Sequence, residues 1–226
     1  MTPTTHHTVV DVANVVIVTG ATPLHPEAVA AVPPGTRVIA ADGALDEAVA
    51  SGVFPDVLVG DLDSVSDAGR EWAAEHAVVM EHPADKDLTD TELALTVAAD
   101  AEPQRITMLA GTGTRLDHTI AALGALGSPV LDEVPHVDGW FGADRIVIVR
   151  PGRPETIAVT EGATFSVLAL HGACEGVDVG GARWPLRSAH LEPLSGRGVS
   201  NVANGPDVTV SVAAGRLTVI VPGEVA

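Results

Sequence analysis

Lysine is almost missing from this chain: of 12 basic residues in 226, Lys86 is the one lysine and the others are arginines. Basic residues of either kind are scarce beside 30 acidic ones, and the resulting net charge of −18 argues against nucleic acid or an anionic membrane as a partner. A single cysteine, Cys174, rules out an internal disulfide and reads as a small buried hydrophobe. No apolar run approaches the ~18 residues of a membrane span. The opening "MTPTTHHTVVDVANVVIV" lacks a basic stretch followed by an apolar core and a small-residue cleavage site. We therefore expect a soluble, cytoplasmic protein. The glycine-containing turn "VTGATP" is neither a Walker loop nor a dinucleotide fingerprint, and the spacings of a hydrolase elbow or a zinc site are missing too.

What is abundant is carboxylate, and it is unevenly placed. Between Asp42 and Glu92 there are 14 acidic residues against only Arg70 and Lys86. A solvated acidic surface is the ordinary reading of such a run; a site for a hard divalent cation is the sharper one.

The first ~145 residues alternate short β-type runs with helix-like ones. "VVIVTG", "TRVIAAD", "DVLVGD", "AVVMEH" and "RITMLAG" read as strands, while "ALDEAVASG", "DAGREWAAEH", "TDTELALTVAAD" and "DHTIAALGALG" have helical spacing and caps. Alternation of this kind predicts an α/β layer with a mainly parallel sheet, whose ligands bind at the carboxyl ends of the strands. After "RPGRPET" the pattern changes to short β runs separated by Gly and Pro, which predicts a second, all-β unit, a small sandwich or barrel. The expected division is 1–145 and 146–226, with 127–145 as a connector.

Asp61 and Asp63, in "PDVLVGDLDSVSD", directly follow one of the buried strands. In an extended segment they would point the same way, and two like charges held side by side call for neutralisation. Asp85, Lys86, Asp87, Thr89 and Asp90 lead into the next helix, so Asp61, Asp63 and Asp90 could share one divalent ion. Mg²⁺ takes only one or two carboxylates and completes its shell with water and phosphates, which points to a phosphate-bearing substrate. For any one of these aspartates a turn or a helix cap is the ordinary use. Lys86, kept where every other basic residue is arginine, would touch a phosphate oxygen or hold the aspartates. Arg115 and Asp117 open a helix after a Gly/Thr turn, a place where backbone N–H groups and a guanidinium favour phosphate. Trp184 is either core or a flat platform for a heteroaromatic ring. Ser200 and Asn201 offer a hydroxyl and an amide to a polar ligand, or make a turn.

Taken in order, "ADGALDEAVASGVFPDVLVGDLDS", "DKDLTDTELAL", "GTRLDHTIAAL", "RWPL" and "GVSNVANG" resemble the motif series of the thiamine pyrophosphokinase (thiamine diphosphokinase) family, over nearly the whole chain. The resemblance implies an α/β nucleotide-binding domain followed by a β-sandwich, in homodimers with active sites between subunits. It also implies transfer of the pyrophosphoryl group of ATP to the hydroxyl of thiamine, giving thiamine diphosphate and AMP. By the same resemblance Asp61, Asp63 and Asp90 hold Mg²⁺, whereas Asp42, Lys86, Asp87, Arg115 and Asp117 position ATP phosphates, the metal's water shell or the substrate. Trp184, Ser200 and Asn201 form the thiamine pocket and serve the partner's ATP site. Ala44 and Thr114 stand where the family usually has glycine. Two other readings share these motifs: a pyrophosphokinase for another alcohol such as a hydroxymethylpterin, and a non-catalytic thiamine or nucleotide sensor.

Overall fold

A computed structural model describes residues 13–85, 87–111 and 115–223. Its first half follows the predicted alternation: β1 (Asn14–Thr19), α1 (Pro26–Ala30), β2 (Arg37–Ala41), α2 (Ala44–Ala50), β3 (Val57–Gly60), α3 (Asp67–His76), β4 (Val78–Glu81), α4 (Asp90–Ala99), β5 (Arg105–Ala110), α5 (Leu116–Ala125) and β6 (His136–Phe141). Val15 to Val18 and Val57 to Gly60 are buried without alternation because helices cover both faces of the sheet. Ala94, Leu95 and Ala98 of α4 pack on one face with Ala122 and Ala125 of α5, while Ala28 of α1 and Ala44 and Ala48 of α2 pack on the other. Alanine at these positions lets each helix sit close to the strands. Among the described residues no helix is long and apolar enough to cross a membrane.

The second half is all-β: β7 (Asp144–Val149), β8 (Glu155–Ala158), β9 (Thr164–Leu168), β10 (Cys174–Gly180), β11 (Leu186–Leu191), β12 (Asn201–Val202), β13 (Asp207–Ser211) and β14 (Leu217–Val221). The fold class expected from sequence, α/β with a mainly parallel sheet and then a β-sandwich, is therefore the one observed. The two parts nevertheless share a sheet. One ten-stranded sheet runs β12-β9-β14-β7-β6-β5-β1-β2-β3-β4, parallel from β6 to β4 and antiparallel from β6 to β12. A four-stranded sheet, β11-β10-β13-β8, covers the antiparallel end, with Phe165, Val167 and Val219 meeting Val177, Val179 and Val208 in the sandwich core.

The segment expected to be a connector, 127–145, contains β6 and the start of β7. Its strand signal is broken by Asp138 and Gly139 in "HVDGWF". Both are answered by the neighbouring strand. Asp138 is buried but accepts hydrogen bonds from Arg105 and from Thr107 Oγ1 (2.6 Å), and a Cβ on Gly139 would lie 2.9 Å from the Met108 carbonyl oxygen.

Arg150, at the end of β7, fastens the two parts together. Its buried guanidinium donates to the carbonyls of Leu131, Val134 and Pro135, closing the 3-10 turn Pro129–Leu131 and the approach to β6. Burial pushes its pKa down, aided by the nearby Arg153 charge. Arg150→Met is expected to leave these carbonyls unsatisfied and to cost about 2–4 kcal/mol in urea unfolding, measured against wild type.

Candidate active site

The strand order reverses between β1 and β5, and in open α/β sheets that switch point opens a crevice at the carboxyl ends of the strands. A cavity of about 400 Å³ lies there, lined by Thr19 at the end of β1 and Gly20 after it, Asp42 after β2, Thr91 in α4, and Arg115 and His118 at the start of α5. Thr19 Oγ1 and Thr91 Oγ1 stand 2.5 Å apart and tie the end of β1 to α4 across it. The sequence singles out neither Thr19 nor Thr91, and His118, beside Asp117, reads there as a packing or capping residue; the fold places all three on the cavity wall.

Asp42 and Asp90 line this cavity, and Asp61, which is not part of its lining, reaches the same two carboxylates from the end of β3. Asp42, Asp61 and Asp90 each bring an oxygen within 4.8 Å of the other two. Local structure explains each position. Asp42 has a left-handed φ of 47°, which turns the chain from β2 into α2, and its N–H donates to the Val59 carbonyl at 2.8 Å. Asp61 follows the last residue of β3. Asp90 opens α4 behind a capping box, in which Thr89 Oγ1 accepts from the Glu92 N–H (3.2 Å) and Glu92 Oε2 accepts from the Thr89 N–H (2.8 Å). Gly60 makes the approach possible, since a Cβ there would lie 2.9 Å from Asp42 Cβ and 3.2 Å from Asp90 Oδ1.

Asp42 is buried, and its Oδ1 has no hydrogen-bond partner among the described residues. Burial raises its carboxyl above the ordinary range, and the Asp90 and Asp61 charges add to that; the nearby Gly43 N–H and Ser64 hydroxyl dipoles oppose it. A buried oxygen without a donor, among carboxylates this close, suits a hard divalent cation.

Asp63 is not in the cluster. The extended geometry that would set Asp61 and Asp63 side by side is broken by Leu62, whose φ is 66°. Asp63 is exposed, its N–H donates to Asp61 Oδ1 (3.2 Å) and its carboxylate accepts from Ser64 Oγ (2.8 Å). Asp87 is exposed too, while Lys86 and Thr114 lie outside the described residues. Ala44 is the first helical residue of α2, so the missing glycine costs nothing there. Arg115 at the cavity rim forks onto Asp117 at 2.9 and 2.6 Å, which holds the Asp117 carboxyl far below the usual range. Both side chains are exposed, so the fork is open to exchange for another oxyanion.

Trp184, Ser200 and Asn201 meet elsewhere, around a recess of about 230 Å³ with Arg197, Gly198 and Val199. Asn201 is buried and its amide is already engaged: Oδ1 accepts from the N–H groups of Trp184 (3.1 Å) and Val202 (2.9 Å), and Nδ2 donates to the Trp184 carbonyl (2.8 Å). Its work is to hold the Trp184 backbone. Trp184 is 54% exposed, with the Arg183 guanidinium 4.9 Å from its ring centroid. Ser200 is exposed at a left-handed φ of 59°.

Two family models match the chain. Residues 35–135 match the thiamin pyrophosphokinase catalytic domain, and residues 151–217 match the thiamin pyrophosphokinase vitamin B1 binding domain. The chain belongs to the thiamin pyrophosphokinase family. Solved structures agree on the fold. Thiamine pyrophosphokinase from Bacillus subtilis superposes with a TM-score of 0.81 at 24% identity, covering 94% of this chain and 100% of that one. A thiamin pyrophosphokinase family protein from Enterococcus faecalis gives 0.77 at 22%, with coverage of 94% and 100%. The Candida albicans thiamin pyrophosphokinase gives 0.73 at 14%, with coverage of 96% and 91%. No curated protein matches the chain by sequence. In this member of the thiamin pyrophosphokinase family the carboxylate cavity draws most of its lining from the catalytic match, with Thr19 to Thr22 and Phe141 from outside it, and the Trp184 recess lies in the vitamin-binding match.

Proposed function

We propose that the protein transfers the pyrophosphoryl group of ATP to the hydroxyethyl oxygen of thiamine, in a Mg²⁺-dependent reaction in the cytoplasm that gives thiamine diphosphate and AMP. The observation that carries this reading is the cluster of Asp42, Asp61 and Asp90, two of which, Asp42 and Asp90, line the switch-point cavity. Carboxylates alone would repel a triphosphate, so a cavity built of them serves a nucleotide only with cations between. Mg²⁺, when bound, neutralises charge on the triphosphate and makes the β-phosphorus more open to attack.

The chain's own residues then hold and align. Asp42, Asp61 and Asp90 supply the metal's protein ligands. Arg115 exchanges Asp117 for a phosphate oxygen at the start of α5, where backbone N–H groups also face anions. Asp63, Lys86, Asp87 and Asp117 act on the phosphates or on the metal's water. The alignment of two bound substrates supplies most of the acceleration in such a transfer. Residues 1–145 would form the ATP-binding catalytic part and 146–226 the thiamine-binding part, with the Trp184 ring as the platform for the vitamin, beside Ser200. The vitamin B1 binding match favours thiamine over a pterin alcohol.

One chain does not complete this site. β12, which carries Asn201, is seven strand spacings from β2, which leads into Asp42, or about 34 Å along the sheet at ~4.8 Å each. Direct transfer needs the attacking oxygen ~3–3.5 Å from phosphorus. A two-fold dimer that lays one subunit's Trp184 recess against the other's cavity would close that gap. Apolar side chains beside both recesses fit such an interface: Leu116 and Ile120 on α5 are 70% and 60% exposed, and Leu194 and Val199 are 74% and 49% exposed.

The deciding experiment supplies ATP, Mg²⁺ and thiamine and quantifies AMP, ADP and thiamine diphosphate separately. AMP and thiamine diphosphate are expected in equal amounts. ADP with thiamine monophosphate would replace the reading with an ordinary kinase, and thiamine binding without turnover would replace it with a sensor.

A further inference from the structure

We propose that Asp46, which does not line the cavity, is a positioning residue that sets the separation of Asp42 and Asp61. The inference rests on the reading of those carboxylates as metal ligands. Asp46 is the third residue of α2, where an acidic side chain usually folds back on its own helix end. Here it reaches across to the loop after β3. Its Oδ2 accepts from the Ser66 N–H at 2.9 Å and its Oδ1 accepts from Ser66 Oγ at 2.7 Å. Ser66 is itself the cap of α3, its Oγ accepting from the Gly69 N–H at 3.0 Å.

The contact joins the two elements whose carboxylates must meet. Asp42 and Gly43 lead directly into α2, and Asp61 begins the loop that Ser66 ends. Like charges at Asp42, Asp61 and Asp90 push these segments apart whenever no cation lies between them. Leu62 and Val65 anchor the middle of the loop in the core beside Leu45. Asp46 closes its far end against α2 with two hydrogen bonds to a charged acceptor, the stronger kind.

Gly69 supplies independent support. A Cβ there would sit 2.3 Å from Asp46 Oδ1 and 3.0 Å from Val65 Cγ1, so a glycine is what admits the carboxylate. Gly69→Ala should therefore turn Asp46 away while keeping its charge and improving the helix propensity of α3. That separates positioning from bulk stability.

The test titrates Mn²⁺, followed by its electron paramagnetic resonance signal, into wild type and the Asp46→Ala, Asp46→Asn and Gly69→Ala proteins with α,β-methylene-ATP present. Thermal melting is measured in parallel. Asp46→Ala and Gly69→Ala are expected to raise the Mn²⁺ dissociation constant about tenfold. Asp46→Asn, which keeps one acceptor, should fall between them and wild type, and Gly69→Ala should melt closer to wild type than Asp46→Ala does, because its gain in helix propensity offsets part of the lost hydrogen bonding. A Gly69→Ala protein that binds Mn²⁺ within about twofold of wild type overturns the inference, and so does an Asp46→Ala protein that melts lower with unchanged Mn²⁺ affinity. If Asp46→Ala fails to fold, Gly69→Ala decides. Wild type that binds no Mn²⁺ removes the metal assignment itself, which is a separate result from either.

Discussion

Asp42→Asn, Asp61→Asn and Asp90→Asn are each expected to lower thiamine diphosphate synthesis by about 10²–10³-fold, a loss comparable to removing a preorganised charge-stabilising group. Asp63→Asn is expected to cost much less, within about tenfold, because Leu62 turns its side chain out of the cluster. Asp42→Asn should act in the opposite direction on stability. With metal chelated, removing this buried charge relieves its desolvation and its repulsion by Asp90 and Asp61, so the Asp42→Asn protein should melt above wild type.

The Asp42 carboxyl is raised mainly by burial. A folded state that holds a carboxyl above its ordinary pKa binds more protons than the unfolded chain. Metal-free stability from this group therefore falls as pH rises from the ordinary carboxylate value to the raised one. Asp42→Asn should flatten that slope. The measurements are turnover in Mg²⁺ and thermal melting in chelator across pH. An Asp63→Asn protein as inactive as Asp90→Asn would return Asp63 to the metal site.

The second large effect concerns the assembly. An Asp90→Asn subunit has a damaged cavity and an intact vitamin recess; a Trp184→Ala subunit has the reverse. Each homodimer should be inactive or nearly so. When the two are co-expressed with different affinity tags and purified through both, the mixed dimer should recover about half of wild-type activity per dimer. In a two-fold assembly one of its sites combines the two intact halves and the other combines the two damaged ones. Were each site built within one chain, the mixed dimer would stay as inactive as its parents. A Trp184→Ala homodimer with unchanged turnover would take Trp184 out of the vitamin site.

The family could be read before any coordinates because its motifs are local: "GDLDS", "DKDLTDTELAL" and "RLDH" each lie within one strand end, cap or turn. The helix α3 likewise lies over "DAGREWAAEH", since helical periodicity and a serine cap are short-range signals. β6 was missed for the opposite reason. Asp138 looks wrong for a buried strand until Arg105 and Thr107, about thirty residues earlier, are seen to neutralise it.

By itself, then, the sequence determined the layer class, the strand-end placement of the carboxylates and the family. Tertiary structure decided which carboxylates meet, because Asp42, Asp61 and Asp90 are brought together by parallel pairing of β2 with β3 and the seating of α4 against them. It also decided that the two halves share one sheet and that the two recesses lie far apart. Such outcomes depend on contacts between residues distant in the chain, and local propensity carries no information about them.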